Sequence, residues 1–309
     1  MDIKEFSGNM KKAVEVRLGK GYDVREMVVE KNNGVKLEAL VVRRDGRKLS
    51  PTIYLQSFYD RYSDGESIKD CSKSFVESYY DALPPADPDV YFYNDFETVR
   101  ERICYKLISA KRNAALLEKV PHVPFLDLAI VFYYPLEADM FSNASILIRD
   151  SHAENWGTCT EELMREACRN TPKVMPVRFS KMCDVLSEMN PEMKDYPYPD
   201  EISQMYVLSN EYMHFGAAAI MYPEMLDEIS DKLDSDLFII PSSVHEVIVI
   251  PEGLIKDREY LMDMIFEINR TQVDPQDVLS DWLYRYDRSE RKVTEVAYPD
   301  IQLPRECAL

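Results

Sequence analysis

The sequence predicts an α+β fold of mixed, mostly antiparallel sheets with helices packed on one face. We expect an N-terminal helix-plus-β-hairpin lobe and a larger C-terminal lobe. Segments of helical period alternate with short β-branched and aromatic runs that end at turn residues, as such folds require. The 309 residues are 46% apolar and 30% charged, which is typical of a globular protein and not of a disordered chain. No period of about 20–50 residues repeats, so a solenoid or propeller is not expected.

The N-terminal lobe is predicted to be a helix followed by a β-meander and a second helix. Residues 3–19 are expected to be helical because their apolar side chains are spaced four apart. These side chains are Phe6, Met10, Val14 and Leu18. Residues 22–30 and 35–43 are predicted to pair as a hairpin, since Asn33-Gly34 favours a tight turn between them. A short strand over residues 51–55 and a helix over about residues 68–83 complete the lobe.

The clearest break in the chain is the proline-rich segment Leu83–Asp89. Proline stops helices and favours extended linker geometry, so this composition indicates a boundary. We therefore predict an N-terminal lobe of residues 1–86 and a C-terminal domain of residues 87–309. One continuous domain is the alternative, because a helix-plus-meander of this size can also pack onto the rest of the chain.

The C-terminal lobe begins with elements of both kinds. Asp95 is expected to cap a helix that starts at Phe96, whereas residues 103–108 are compatible with a helix or a strand. The elements that follow are predicted to be strands over residues 124–136 and 144–149, a helix over 160–169, a strand over 175–179 and a surface loop over 190–201.

The C-terminal lobe is organised around residues 205–252. They are expected to form two strands, then a helix with Pro223 in its first turn, and then a β-hairpin. The tip of this hairpin carries four polar side chains, Ser242, Ser243, His245 and Glu246. A helix over residues 257–269, a strand over 278–286 and a charged tail are expected to follow.

The net charge of −18 is unevenly distributed along the chain. Residues 1–60 contain 12 Lys and Arg against 9 Asp and Glu, a balance of +3, and the remainder contains 25 against 46, a balance of −21. An acidic surface repels phosphate backbones, so a nucleic-acid partner is not expected. Solubility is the simplest interpretation of the acidic charge, with a cationic partner or mimicry of nucleic acid as alternatives.

The sequence contains no targeting or cofactor signal that we can identify. The segment MDIKEFSGNMKK lacks a basic-then-apolar pattern, and the longest apolar runs are too short to span a bilayer. The six cysteines include no C-x-x-C pair, and neither glycine-rich phosphate-binding motif occurs. We therefore expect a soluble cytoplasmic protein with reduced thiols, no cofactor and no membrane association.

The polar side chains at the predicted hairpin tip are the candidate catalytic residues. A serine hydroxyl of Ser242 or Ser243, the His245 imidazole and the Glu246 carboxylate have the chemistry of a nucleophile, a base and an orienting group. On an extended strand, Ser243 and His245 share one face while Glu246 points to the other. The pattern permits a Ser–His contact but disfavours a local triad with Glu246, and an ordinary polar turn is the alternative.

His152 and Glu154 are weaker candidates, as metal ligands together with His245 or His214. Residues at this spacing share one face of a strand, and His152 comes just after a predicted strand. The helical H-E-x-x-H pattern is absent, however. We therefore expect no bound metal.

Five segments of the chain are similar to a known group of sequences: SPTIYLQSFYDRY, PFLDLAIVFYYPL, ILIRDSHAENWG, HFGAAAIMYP and DLFIIPSSVHEVIVIP. They resemble an uncharacterised bacterial family, known only as a domain of unknown function and seen mostly in anaerobic gut clostridia. The resemblance covers about residues 5–290. From about residue 124 the chain is also distantly similar to a second uncharacterised bacterial family, which carries a different polar tip. These resemblances imply a bacterial intracellular protein, and they imply no activity, cofactor or catalytic residue.

A binding or regulatory module whose partner is a protein or a small molecule is the function that these observations favour. The sequence has no recognised catalytic motif, no metal-ligand spacing and no phosphate loop. Such a module predicts an exposed apolar patch or a pocket. A hydrolase that uses the Ser/His pair of residues 241–246 is the alternative. An acidic decoy, whose carboxylates would lie in regular rows, is a weaker one.

Overall fold

The structure, a computed structural model, describes residues 1–47, 50–83, 91–136, 145–193, 197–255 and 257–297. These residues form an α+β fold of antiparallel sheets and helices, as predicted. The chain divides into two compact units. We call them the N-terminal unit (Met1–Phe92 with Glu137–Ser142) and the C-terminal unit (Tyr93–Leu136 with Asn143–Leu309). Most of the proline-rich segment and the tail beyond residue 297 lie outside the described residues, and the boundary at residue 86 stays a prediction.

The N-terminal unit is a small antiparallel sheet covered by helices. Its elements are α1 (Ile3–Leu18), β1 (Tyr22–Glu30), β2 (Lys36–Arg44), β3 (Thr52–Tyr54), α2 (Gln56–Ser63) and α3 (Ile68–Asp81). The strands pair in the order β1-β2-β3. The Asp2 carboxylate caps α1 by accepting the Glu5 N–H at 2.8 Å. The predicted hairpin is confirmed, because Glu30 lies opposite Lys36 across a turn in which Asn33 has a φ of 61°.

The core of the N-terminal unit contains the apolar stripe that the sequence predicts for α1. Phe6, Met10 and Val14 are fully buried and pack in one cluster with Phe75 and Tyr79 of α3. Spacing of four residues places these α1 side chains on one helical face, which explains their common burial. Helix α2 was not predicted from the sequence; it is eight residues long and buries Phe58, with Tyr59 and Tyr62 packed against the same cluster.

The first part of the C-terminal unit is a sheet centred on one buried strand. Its elements are α4 (Phe96–Val99), β4 (Cys104–Ser109), α5 (Ala114–Leu117), β5 (His122–Phe125), β6 (Leu128–Pro135) and β7 (Ser145–Leu147). Strand β6 pairs with β4, β5 and β7, and all eight of its residues are buried. The ambiguous residues 103–108 are thus largely strand. The single strand predicted over residues 124–136 is instead two, joined by a tight turn at Leu126, whose φ is 52°.

The rest of the C-terminal unit is built on a six-stranded antiparallel sheet. Its elements are α6 (Asp150–Trp156), α7 (Thr160–Val174), β8 (Val177–Lys181), α8 (Met182–Met189), α9 (Asp200–Ser203), β9 (Tyr206–Asn210), α10 (Met225–Leu233), β10 (Leu237–Ile240), β11 (Val247–Pro251), α11 (Arg258–Thr271), β12 (Tyr284–Asp287) and β13 (Lys292–Glu295). The strand order is β13-β12-β10-β11-β9-β8. The predicted β-hairpin of residues 205–252 is confirmed as the pair β10 and β11.

Three features from residue 205 onward differ from the prediction, the first being that Pro223 precedes α10, which begins at Met225, instead of lying in its first turn. The second expected strand is a 3-10 helix, Gly216–Met221, whose small side chains are buried on all sides. Complete burial removes the alternation by which a strand and a helix are told apart in sequence. The last predicted strand begins six residues later than expected, at Tyr284, and β13 lies within the residues expected to be tail.

One face of the six-stranded sheet is covered by α11. Leu261, Met262 and Ile265 of this helix pack against Phe238 and Ile250 of the sheet in one buried cluster. Of the helices in the described stretches, none combines the length and the apolar character needed to cross a bilayer.

Candidate functional site

The predicted hairpin tip, residues 241–246, is not an open turn but is bound to a second backbone segment. The Val244 N–H donates to the Asp277 carbonyl at 2.8 Å, and the Leu279 N–H donates to the Ser242 carbonyl at 3.1 Å. Ser243 bridges to Val278 in antiparallel fashion and is 7% exposed. Residues 277–279 thus extend the pairing of the loop beyond β10 and β11, and whether the tip is a functional site or a polar turn stays a prediction.

The His245 imidazole is held by a contact at each of its two ring nitrogens. Nε2 lies 3.4 Å from the Asp277 carboxylate, and Nδ1 accepts the Phe215 N–H at 3.3 Å. Because Nδ1 accepts a hydrogen bond, the proton of the neutral ring resides on Nε2, facing Asp277. The rings of Phe215 and His245 stack at 5.9 Å. The imidazole is thus oriented by its surroundings.

The candidate serine and carboxylate contact each other and the backbone. The Ser243 hydroxyl accepts the backbone N–H of His245 at 3.0 Å and is hydrogen-bonded to the Glu246 carboxyl. Burial raises the pKa of Glu246, the Asp277 carboxylate adds to the increase, and His245 and Ser243 oppose it. A serine nucleophile needs its hydroxyl on the catalytic imidazole. Here both ring nitrogens of His245 have other partners, so the geometry supports a structural role better than a catalytic one.

A strained loop, residues 211–215, lies against His245. Met213 and Phe215 adopt left-handed φ values of 50° and 55°, which cost about 1–3 kcal/mol for each residue that is not glycine. The Asn210 side chain holds the loop by donating to the His214 carbonyl at 2.8 Å and accepting the Tyr212 N–H at 3.0 Å. Sequence reasoning missed this loop, because left-handed residues other than glycine leave no compositional signal.

His214 sits in this loop as a neutral imidazole. Burial, with smaller contributions from His245 and Lys106, lowers the pKa of His214 to about 4. Its Nε2 is buried and has no hydrogen-bond partner in the described part of the chain. The Lys106 ammonium lies 3.7 Å from the centre of the Phe215 ring. The region therefore brings together His214 and His245, which the sequence could not show to be neighbours.

His152 and Glu154, the weaker metal candidates, are placed on the short helix α6 rather than on a strand. The His152 Nδ1 accepts the Arg149 N–H at 3.1 Å, and the ring packs edge-on against Tyr93 at 5.2 Å. Burial, followed by Arg149, lowers the pKa of His152. No group of three or more potential metal ligands occurs among the residues that the structure describes.

The acidic side chains near β12 are neutralised by arginines. Arg285 contacts the carboxylates of Asp236, Glu252 and Asp287, and Arg288 contacts those of Asp231 and Asp234. A decoy that mimics nucleic acid needs carboxylates that project freely toward its partner. These carboxylates are instead paired with arginines of the same chain, so this face gives no support to the decoy alternative.

The N-terminal unit contains a groove that sequence reasoning missed, here called the α1–α3 groove. It is an open trough of about 730 Å³ between these two helices. Its lining includes Lys12, Ala13, Val16 and Arg17 from α1, and Ile68 and Lys69 from α3. Of the described residues that line it, none is acidic. Apolar and cationic side chains thus line the same surface.

Val16, one of the apolar residues that line this groove, is 85% exposed. Arg17 bridges the two helices by donating to the Lys69 carbonyl at 2.8 Å and to the Ser72 hydroxyl at 3.3 Å. Lys12 and Lys69 are exposed and make no ion pair within the described ranges. The groove thus places two ammonium groups beside an exposed valine.

A compositional signal for this groove is present in the sequence. Residues 1–60 are net basic in an otherwise acidic chain, and Val16 lies off the buried stripe of α1. The signal does not identify the position of the groove, because a one-dimensional pattern does not show which helix packs beside α1.

Comparison with known proteins gives a family but no activity. The model of a family of unknown function, DUF5688, matches residues 3–288. No curated protein and no solved structure matches the chain.

Proposed function

The chain belongs to the family of unknown function DUF5688, and we propose that it is a protein-binding module whose docking surface is the α1–α3 groove. One observation carries the proposal: Val16 is 85% exposed in a trough whose charged lining residues are all cations. The chain as a whole has a net charge of −18. A basic apolar groove is therefore a local reversal of the charge of the molecule.

Burial of the valine supplies the favourable contact energy in this proposal. Complete burial of a valine side chain stabilises by about 1.5–3 kcal/mol, and most of that gain is unused while Val16 faces water. The cations contribute specificity, since charge complementarity selects partners and increases the association rate more than it increases affinity. The groove therefore favours a partner that is both acidic and apolar.

The shape of the groove favours a helix over a small molecule. Small-molecule sites are concave and enclose most of their ligand, whereas this trough is open along the two helices that form it. An amphipathic helix laid into an open groove uses anchors at spacings of three and four residues. We infer that the partner presents one helical face with apolar and acidic side chains.

A photo-reactive amino acid in place of Val16 tests the proposal in extracts of the source organism. The matched control is the same replacement at Val28, an exposed valine on β1 of the same unit. We expect a discrete protein adduct from position 16 that is lost when Lys12→Glu and Lys69→Glu are added, and no such adduct from position 28. Equal adducts from both positions, or an adduct that survives charge reversal, would contradict the proposal.

A further inference from the structure

Helix α11, in the C-terminal unit, carries an apolar stripe that is exposed to solvent at both of its ends. Tyr260 is 69% exposed and Ile268 is 37% exposed, whereas Met264, between them at the same spacing of four residues, is half-buried against the core cluster. Residues four apart share one face of a helix. The two exposed members, Tyr260 and Ile268, are distinct from Leu261, Met262 and Ile265, by which α11 packs on the sheet, so apolar side chains of this helix reach solvent as well as the core.

Acidic side chains flank this stripe. Asp263 and Glu267 are exposed, lie four residues apart on α11, and form no ion pair in the stretches that the structure describes. An i,i+4 pair of like charges is slightly destabilising for an isolated helix. These carboxylates therefore bring no local benefit, and a cationic partner surface would relieve their repulsion.

We propose that the α1–α3 groove of one copy of this chain receives the outer face of α11 from a second copy. The proposal rests on the proposed function and names the partner. Complementarity carries it, because the groove offers Val16 between Lys12 and Lys69 and α11 offers an apolar stripe beside two carboxylates. The lengths also agree: at about 1.5 Å per residue, α11 is roughly 21 Å long and α1 roughly 24 Å.

The contact joins two different surfaces of the chain. It can therefore be exchanged reciprocally in a two-fold dimer, or repeat head-to-tail in a closed ring or an open chain. One helix in one groove buries less area than the roughly 1,600 Å² of a standard interface. Weak association that depends on concentration and on salt is therefore expected, with a dissociation constant in the micromolar range or above.

Sedimentation equilibrium on the full-length protein tests this association. We expect the weight-average mass to rise above the 36.0 kDa of one chain as concentration increases from about 10 μM to about 500 μM. We also expect it to fall toward 36.0 kDa in about 1 M salt, where charges are screened within about 3 Å. A mass that stays at 36.0 kDa over the whole range at low salt would overturn the inference.

Two charge-reversed variants show whether the proposed surfaces make the contact. The groove variant carries Lys12→Glu and Lys69→Glu, and the helix variant carries Asp263→Lys and Glu267→Lys. We expect each variant alone to be monomeric and an equimolar mixture to associate, because the reversed groove then meets the reversed helix. Recovery in the mixture also shows that neither variant is misfolded. The control Lys20→Glu, which changes an exposed lysine outside the groove, is expected to associate like the unaltered chain.

The outcomes separate this inference from the proposed function. Association that is unchanged in both variants, or a mixture that stays monomeric, overturns the docking of α11. If the chain is monomeric and position 16 nevertheless gives a charge-dependent adduct with a different protein, only the identity of the partner is wrong. An adduct at position 16 whose second component is another copy of this chain supports both.

Discussion

Replacement of Gly216 by alanine is expected to be among the most destabilising single changes in the C-terminal unit. Gly216 opens the buried 3-10 helix and lies against β9. A Cβ at this position would lie 2.1 Å from the Ser209 hydroxyl oxygen, 2.5 Å from the His245 carbonyl oxygen and 2.7 Å from the Asn210 nitrogen. Two of these three atoms belong to the backbone, so a change of rotamer does not relieve the clash.

The expected cost follows from two effects of the added methyl group. Overpacking of a well-packed site costs about 1–3 kcal/mol. The methyl group also separates Ser209 from the His245 carbonyl, which are hydrogen-bonded at 2.7 Å, and an unsatisfied buried group costs about 1–3 kcal/mol. Together these give a destabilisation of about 2–6 kcal/mol, a large part of the roughly 5–15 kcal/mol by which ordinary domains are stable.

Tryptophan fluorescence during denaturation by urea measures this effect selectively. The chain has two tryptophans, Trp156 and Trp282, and both lie in the C-terminal unit, so the signal reports the unit that contains Gly216. The control is Gly253→Ala in the same unit, where an added Cβ meets no atom within 4 Å. We expect this control to change stability by less than about 0.5 kcal/mol.

A second variant distinguishes the backbone clash from the lost hydrogen bond. Adding Ser209→Ala to Gly216→Ala removes the nearest clashing atom but leaves both backbone atoms in place. The double variant is therefore expected to remain strongly destabilised. The reasoning is refuted if Gly216→Ala and Gly253→Ala unfold at the same urea concentration, or if Ser209→Ala fully restores stability.

Two further predictions concern the N-terminal unit and the pH dependence of stability. Gly8→Ala, in the interior of α1 with its nearest new contact at 3.7 Å, is expected to stabilise the N-terminal unit by about 0.5–1 kcal/mol. Circular dichroism checks it, and an unchanged or lower midpoint would contradict it. Burial lowers the pKa of His214 to about 4, whereas an unfolded histidine has a pKa of about 6.5. Between these two pH values the unfolded chain binds one more proton than the folded chain. The contribution of His214 to the free energy of unfolding is therefore complete above pH 6.5 and falls by about 1–3 kcal/mol toward pH 4. In urea titrations at several pH values, His214→Gln is expected to remove this part of the dependence of stability on pH. Burial raises the pKa of Glu246, so Glu246 contributes with the opposite sign and its contribution remains in the variant. An unchanged pH dependence would be inconsistent with a buried neutral His214.

Elements whose pattern depends on local spacing could be predicted from the sequence. The helical stripe of Phe6, Met10 and Val14 and the turn at Asn33 lie within a few residues of their structural cause, and both are confirmed. The buried 3-10 helix could not be predicted, because its alanines carry no alternation when every side is covered. Tertiary packing, rather than propensity, decides the conformation there.

The contacts of the candidate site also depend on residues that are distant in sequence. The sequence places Ser243, His245 and Glu246 within four residues, and the structure keeps them close. What the imidazole contacts is decided by Asp277 and Phe215, each about 30 residues away in sequence. Backbone pairing of the loop with residues 277–279 brings Asp277 there, and no local pattern encodes that pairing. A polar cluster in sequence therefore predicts proximity but not the hydrogen-bond partners that separate catalysis from structure.

The sequence pattern alone does not show which apolar side chains of a helix are buried and which are exposed. Helix α11 carries apolar side chains on two sides, with Leu261 inside and Tyr260 outside, among several charged residues. In the structure one of those sides faces water, so the apolar residues of α11 that the core does not bury form part of the protein surface. Val16 of α1 is likewise an apolar residue that the core does not bury, one helix face away from the buried stripe. The two exposed apolar surfaces carry opposite charges around them, and this opposition is why the groove and α11 are expected to meet between copies.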